Sequence, residues 1–142
     1  MLETTIAPGS TKTGGMLLAA FRAGQTEEIT WIDLSVGDLT VTVAADAMKG
    51  PVADRAGVRL PVSYAEAVLL CRELGCISPT QAIADAMFAR ADSQLTFVPL
   101  VRTAADSAKM MSVDFALKFD DGVQKQLAGK DPSDTGLVFG AW

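Results

Sequence analysis

Two helix-start signals separated by a short connection constrain the fold of this chain more than any other feature of its sequence. Ser63 stands three positions before Glu66, the spacing of a capping box, and a mostly apolar run follows. Gly75 suits the end of that helix, and Ser-Pro-Thr-Gln at 78–81 supplies a second hydroxyl cap with proline at the first helical position. These signals predict an αα-hairpin over residues 63–91.

Alternating apolar residues predict a β-hairpin before these helices and a strand after them. Residues 29–34 and 39–43 flank the turn sequence Ser-Val-Gly-Asp, and the second segment alternates apolar residues with threonine. Residues 112–119 carry large apolar side chains at every second position, which is typical of a strand with one buried face. Shorter strands are predicted at 94–100 and 136–142.

Three other segments carry less specific signals. The apolar run 16–22 is compatible with a strand or a short helix, and we favour a strand that ends at Gly24. Residues 49–57, which include a Gly-Pro pair, are predicted to form a loop. Asp121, with Gln124 three positions later, is expected to cap a short helix.

Together these elements predict an α+β fold, in which a mixed or antiparallel sheet of about five strands carries the αα-hairpin on one face. The length of 142 residues is typical of one domain. Residues 1–15 are rich in Gly, Ser and Thr and are expected to form a flexible arm. The predicted organisation is therefore an arm, 1–15, followed by a single α+β domain, 16–142.

Composition restricts the partners that the chain is expected to have. Hydrophobic residues make up 49% of the chain and charged residues 20%, so the chain should fold and keep apolar surface for a second copy of itself or another protein chain. The net charge is −5, and Lys and Arg occur singly, which argues against nucleic acid. Since no apolar run is long enough for a bilayer, we expect no membrane span and, by default, a cytoplasmic location.

The chain contains no histidine, and this absence limits its possible chemistry. It excludes the most common general base near neutral pH, histidine-activated nucleophiles and the most common transition-metal ligand. Cys71 and Cys76 match no zinc site without histidine and are too few for a disulfide framework, so we expect two small apolar side chains near a helix end. Neither a cofactor nor a metal is predicted.

Five residues are the candidate binding residues: Tyr64, Glu66, Arg72, Asp114 and Asp120. The first three lie on or near the first predicted helix and could line a cleft, although a helix cap and a solvated face are the simpler explanation of Glu66 and Arg72. Asp114 and Asp120 could gather carboxylate oxygens of the kind that Mg2+ and Ca2+ prefer. Against a metal site, Asp114 falls on the solvent face of its predicted strand, and the adjacent Asp121 is a helix cap.

Residues 60–91 carry a family resemblance. The joint between the two predicted helices reads Leu-Gly-Cys-Ile-Ser-Pro-Thr, from residue 74 to residue 80. It resembles the joint of a helix pair that follows a short strand in a family of uncharacterised bacterial proteins, and the resemblance extends over residues 39–128. It implies a longer protein whose later part contains histidines and looks like a hydrolase. This chain would then be the front part, completed by a second polypeptide.

Two functions of different classes follow from these observations. The first is a non-catalytic assembly or binding module, which is oligomeric or part of a larger complex; the high hydrophobic content and the absence of histidine favour it. The alternative is a hydrolase, or part of a split hydrolase, that acts on cell-wall material. That alternative rests on the resemblance and on the apolar run that ends the sequence at Trp142.

Overall fold

The computed structural model describes residues 15–96, 112–128, 130 and 136–140. In chain order these residues form α1 (Met16–Arg22), β1 (Trp31–Val36), β2 (Leu39–Ala44), β3 (Lys49–Val52), β4 (Arg55–Arg59), α2 (Tyr64–Leu74), α3 (Gln81–Arg90), β5 (Ser93–Leu95), α4 (Val113–Leu127) and β6 (Val138–Gly140). The mixture of helices and strands confirms the α+β class. None of the helices in this part of the chain combines the length and the apolarity needed to cross a bilayer.

The strands in the described part of the chain form three two-stranded sheets rather than one sheet of about five strands. The β1–β2 and β3–β4 pairs are antiparallel, and the β5–β6 pair is parallel. The prediction of a single sheet is therefore wrong. It fails because two of the segments that were counted as strands, 16–24 and 112–119, are helical. They therefore supply no β-ladder that could join the three pairs.

The first compact unit contains residues 15–27, 48–78 and 112–121. It comprises α1, the β3–β4 hairpin, α2 and the first part of α4. Its buried core consists of Leu17, Val52, Val58, Leu60, Leu70 and Ala116. Each of the four elements therefore contributes at least one buried apolar side chain to this core. These contacts hold the small unit together.

The described residues of the second compact unit are 28–47, 79–96, 122–128, 130 and 136–140. It comprises the β1–β2 hairpin, α3, the last part of α4 and the parallel β5–β6 pair. Its buried core consists of Leu34, Val43, Met87 and Leu137. Beside this core, the rings of Phe88 and Phe139 meet edge to face with centroids 6.3 Å apart.

The segment 16–22 is a helix, so the strand that we favoured there is wrong. Leu17 and Ala20, three positions apart, are its buried residues, and this is helical spacing. The helix ends where the Ala23 amide donates to the Ala19 carbonyl at 3.0 Å. A continuous run of apolar residues is compatible with the period of a strand and with that of a helix. The helix forms here because it packs Leu17 into the first core.

Residues 113–127 form one long helix, so the strand predicted at 112–119 and the short helix capped by Asp121 are both wrong. Ser112 caps this helix, since its Oγ accepts a hydrogen bond from the Phe115 amide at 3.3 Å. The buried positions recur at helical intervals: Ala116, Asp120, Val123 and Leu127. The alternation of large apolar residues was therefore coincidental, and Asp121 lies inside the helix.

The loop predicted at 49–57 is the β3–β4 hairpin. Lys49 pairs with Arg59 and Val52 pairs with Arg55, with a change of register between Gly50 and Val52. The Gly-Pro pair indicated a loop, yet the strand accommodates it because the ladder is irregular at that point. Turn residue Ala53 has a φ of 54°, which is rare for a residue other than glycine.

Local capping signals located the two middle helices. Ser63 Oγ accepts a hydrogen bond from the Glu66 amide at 3.2 Å, and Gly75 ends α2 with a φ of 67°, as predicted. The cap of α3 is Thr80 rather than Ser78, since Thr80 Oγ1 accepts from the Ile83 amide at 3.4 Å. The packing of these helices as an αα-hairpin stays a prediction.

The β-hairpin predicted from residues 29–34 and 39–43 is confirmed as β1–β2, with Val36 opposite Leu39 across a two-residue turn. The strand predicted at 94–100 is seen as β5, and its residues 97–100 lie outside the described residues. The arm 1–15, except for Gly15, and the final two residues also lie outside them. The single domain over 16–142 stays a prediction.

Candidate functional site

The most distinctive surface of the first unit is one side of α2, which we call the α2 face. It consists of Tyr64, Ala65, Val68, Leu69 and Arg72, all of which are exposed. At 100° per residue these five positions span an arc of roughly 140°, so they form one continuous stripe along two turns of helix. Three large apolar or aromatic side chains on that stripe are left in contact with solvent.

The opposite side of α2 explains why this stripe faces outward. Leu70 is 6% exposed and belongs to the first core, and Glu66, one turn earlier, is 5% exposed. Burial of these two positions fixes the rotation of the helix about its axis. Tyr64 is consequently 84% exposed, and Val68 and Leu69 are each 39% exposed.

Glu66 is placed away from Tyr64 and Arg72 and performs a different task. Its Oε1 accepts a hydrogen bond from the Leu18 amide at 3.1 Å, and its Oε2 accepts one from the Gly15 amide at 3.3 Å. These amides lie at the start of α1, whose N-cap residue Gly15 offers no side-chain acceptor. The carboxylate of α2 therefore caps the N-terminus of another helix.

The predicted capping box is accordingly half realised. The Ser63 hydroxyl caps α2 as expected, whereas the Glu66 carboxylate reaches α1 rather than returning to Ser63. The sequence signal was right about the start of the helix. The capping-box pattern could not reveal that the folded chain places the Gly15 and Leu18 amides within hydrogen-bond distance of the Glu66 carboxylate.

Asp114 and Asp120 are not brought together. Asp114 is exposed in the first turn of α4, and Asp120 is buried. Six helical positions separate them, which is roughly 9 Å along the axis and about 120° around it. Among the residues that the structure describes, no group of three or more Cys, Asp or Glu side chains is placed to hold a metal ion.

Asp120 belongs to a cluster of charged side chains that sequence reasoning missed. Its Oδ1 accepts hydrogen bonds from the Arg59 Nη1 at 3.0 Å and the Arg59 amide at 3.2 Å. Its Oδ2 accepts from the Arg55 Nη2 at 3.1 Å, and Arg55 also donates to Asp121 at 2.8 Å. One signal was present in the sequence: residues 55 and 59 are four apart and share one face of a strand.

Comparison of the chain with protein-family models, with curated proteins and with solved structures gives no match. The resemblance to a family of uncharacterised bacterial proteins, and the hydrolase that it implies, therefore stay predictions.

The chemistry that the α2 face offers is non-covalent. Val68 and Leu69 offer apolar area, Tyr64 offers an aromatic ring with a hydroxyl, and Arg72 offers a planar cation. Such a combination is typical of protein contact surfaces, where Tyr and Arg are enriched. The charged cluster around Asp120 differs from it, because its carboxylate oxygens are already engaged within the first unit.

Proposed function

We propose that this chain is a non-catalytic assembly module that associates with a second copy of itself through the α2 face. The observation that carries the proposal is the continuous exposed stripe of Tyr64, Val68, Leu69 and Arg72 on one helix. Removal of apolar area from water is the main driving force for protein association.

A second copy is the occupant because the α2 face is complementary to itself. Tyr64 and Arg72 each lie four positions from Val68, on opposite sides of it. When two copies of α2 pack antiparallel about a twofold axis at Val68, each tyrosine ring meets the arginine of the other copy. Two cation–π contacts then flank an apolar centre.

The strength of this association is limited by its area. Complete burial of a Val or Leu side chain contributes about 1.5–3 kcal/mol, so the exposed parts of Val68 and Leu69 contribute about 1 kcal/mol each per copy. The largely exposed Tyr64 contributes more. Association itself costs about 4–15 kcal/mol, so we expect a Kd on the order of micromolar to millimolar, and the test must reach high protein concentration.

The first experiment measures the molar mass of the chain by light scattering and sedimentation equilibrium across a concentration series. We expect a reversible monomer–dimer equilibrium that Val68→Asp abolishes. Leu39→Asp is the matched control, since Leu39 is also an exposed apolar residue but lies at the start of β2. A wild-type chain that stays monomeric at millimolar concentration, or equal effects of the two substitutions, would refute the proposal.

The second experiment tests the antiparallel geometry. In a Cys71→Ser, Cys76→Ser background, Val68→Cys should cross-link two copies on mild oxidation, because the twofold axis brings the two side chains together. Ala65→Cys is on the same face but three positions from the axis, so it should cross-link more slowly. Faster cross-linking at position 65 than at position 68 would exclude this pairing.

A further inference from the structure

The two cysteines of the chain meet at the end of α2. Gly75 adopts a left-handed conformation, the Gly75 amide donates to the Arg72 carbonyl at 3.3 Å, and the Cys76 amide donates to the Cys71 carbonyl at 2.9 Å. This pair of hydrogen bonds defines a Schellman motif, in which the third residue from the helix end and the second residue beyond it bring their side chains into contact. Those two positions are occupied by Cys71 and Cys76.

The two thiols are free. Both cysteines are half-buried. Burial, together with a hydrogen bond to the Cys71 thiol, raises the pKa of Cys76. The Sγ of Cys71 also lies 3.9 Å from the Ser78 hydroxyl oxygen. The helix end thus joins the backbones of the two cysteines through a hydrogen bond that belongs to the helix cap.

We propose that Cys71 and Cys76 are a thiol–disulfide couple, which closes a covalent ring around the C-terminal cap of α2. A disulfide requires two Cα atoms within about 7 Å and side chains that converge. The Schellman hydrogen bond between the same two residues supplies the first condition. The motif itself supplies the second, because its geometry turns the side chains at these two positions towards each other. This proposal is independent of the association of two copies.

The oxidant is a low-molecular-weight disulfide such as glutathione disulfide. The Cys71 thiolate attacks one sulfur of that disulfide, the sulfur–sulfur bond breaks, and one glutathione thiolate leaves. The Cys76 thiolate then attacks the Cys71 sulfur of the mixed disulfide and releases the second glutathione. The chain loses two electrons and two protons, and one glutathione disulfide becomes two glutathione thiols.

The position of the couple predicts its redox character. Low-pKa cysteines of oxidoreductases lie at helix N-termini, where the positive end of the helix dipole stabilises the thiolate. Cys71 and Cys76 lie at a C-terminus, and the pKa of Cys76 is raised. Because the reduced form gains no such stabilisation, the disulfide is a weak oxidant that forms slowly and persists until a strong dithiol reduces it.

The test incubates the folded wild-type chain with glutathione disulfide, traps remaining thiols with N-ethylmaleimide and determines the mass. We expect loss of both free thiols per chain, no glutathione adduct, no change in oligomeric mass and full recovery with dithiothreitol. Trypsin cleaves after Arg72, between the two cysteines, so the oxidised chain should yield residues 60–72 joined to residues 73–90. Two alkylated thiols, two glutathione adducts or an inter-chain disulfide would each overturn the proposal.

Two controls separate the folded geometry from mere proximity in sequence. Cys71→Ser and Cys76→Ser should each stop at a single glutathione adduct, which shows that the second sulfur resolves the first. In concentrated urea, where the Schellman motif is lost, the fraction of intramolecular disulfide at the same glutathione ratio should fall. An equal fraction in urea and in buffer would show that the fold does not pair these cysteines.

Discussion

Arg59 and Asp120 form a buried ion pair in which Nη1 lies 3.0 Å from Oδ1 and the side chains are 3% and 2% exposed. The two residues are 61 positions apart, on β4 and α4. A buried pair of this kind contributes little net stability, because desolvation of both charges offsets their attraction. Loss of one partner, by contrast, leaves a charge in a site built for its counter-charge.

Replacement of Asp120 by asparagine should therefore destabilise the chain by about 3–5 kcal/mol. Asparagine keeps the shape of aspartate but removes the negative charge opposite Arg59. The measurement is urea unfolding followed by circular dichroism. Asp121→Asn is the matched control, since Asp121 is adjacent, 55% exposed and paired with Arg55, and it should cost less than about 1 kcal/mol. Equal losses for the two variants would contradict the assignment.

Replacement of Glu66 by alanine should destabilise α1 rather than α2. The variant loses both acceptors for the Leu18 and Gly15 amides, and we expect a cost of about 1–2 kcal/mol. Hydrogen exchange provides the local measurement, because the Leu18 amide should lose protection.

Glu73→Ala tests whether the effect of Glu66 arises from its contact with the N-terminus of α1, because Glu73 contacts α1 at its other end, through Arg22. Glu73 is also on α2, and its carboxylate accepts a hydrogen bond from the Arg22 Nε at 2.8 Å on the surface. It should cost less than about 1 kcal/mol and leave the Leu18 amide protected. Unchanged exchange at Leu18 in Glu66→Ala would show that the carboxylate is not its cap.

The parts of the fold that the sequence predicted correctly are those decided by neighbouring residues. The limits of α2 follow from Ser63 and Gly75, whose effects are confined to one helical turn. The β1–β2 hairpin likewise follows from a short turn between alternating strands. In both cases the local preference and the tertiary packing agree.

The parts that were wrong are those decided by distant residues. The strand pattern at 112–119 has period two, yet the core accepts Ala116 and a buried Asp120, which no hydrophobic pattern would select. Asp120 is tolerated inside because Arg59 and Arg55 both bind its carboxylate there. The partner of a buried charge is determined by the tertiary structure. Neither α4 nor the charged cluster could therefore be inferred from the sequence of one segment.

The turn between β3 and β4 predicts a stabilising substitution. Ala53 has a φ of 54°, a conformation that costs an L-residue about 1–2 kcal/mol and glycine nothing. Ala53→Gly removes this strain but increases the entropy of the unfolded chain, so we expect a net gain of up to about 1 kcal/mol. Thermal unfolding provides the measurement.

Ala56→Gly is the matched control for that substitution. Ala56 is exposed in β4, three positions after Ala53, and does not have a positive φ. Glycine there should destabilise the chain by about 0.5–1 kcal/mol. A loss of stability in both variants would mean that the turn is not strained by alanine.

Asp92 makes the second unit sensitive to acid. Its Oδ2 accepts hydrogen bonds from the Leu137 amide and from the Arg90 Nη1, each at 2.9 Å. The Leu137 amide first, and then Arg90, hold the pKa of Asp92 below its usual value of 3.8. The folded state therefore binds this proton less readily than the unfolded state, and the stabilisation is complete above pH 3.8 and is lost as the pH falls through the folded pKa.

Asp92→Asn should accordingly lower the Tm near neutral pH, and its difference from the wild type should shrink as the pH falls below 3.8. The measurement is the Tm of both chains over a pH series. Arg90→Gln should have a smaller effect, because it removes only the lesser of the two causes. A third variant, Gly136→Ala, should lower the Tm more than Asp92→Asn and should keep part of that loss at low pH. A Cβ at Gly136 would displace the Asp92 carboxylate, and the φ of 54° at this position also strains alanine at every pH. A difference between Asp92→Asn and the wild type that is independent of pH would show that ionised Asp92 does not hold Leu137 beside β5.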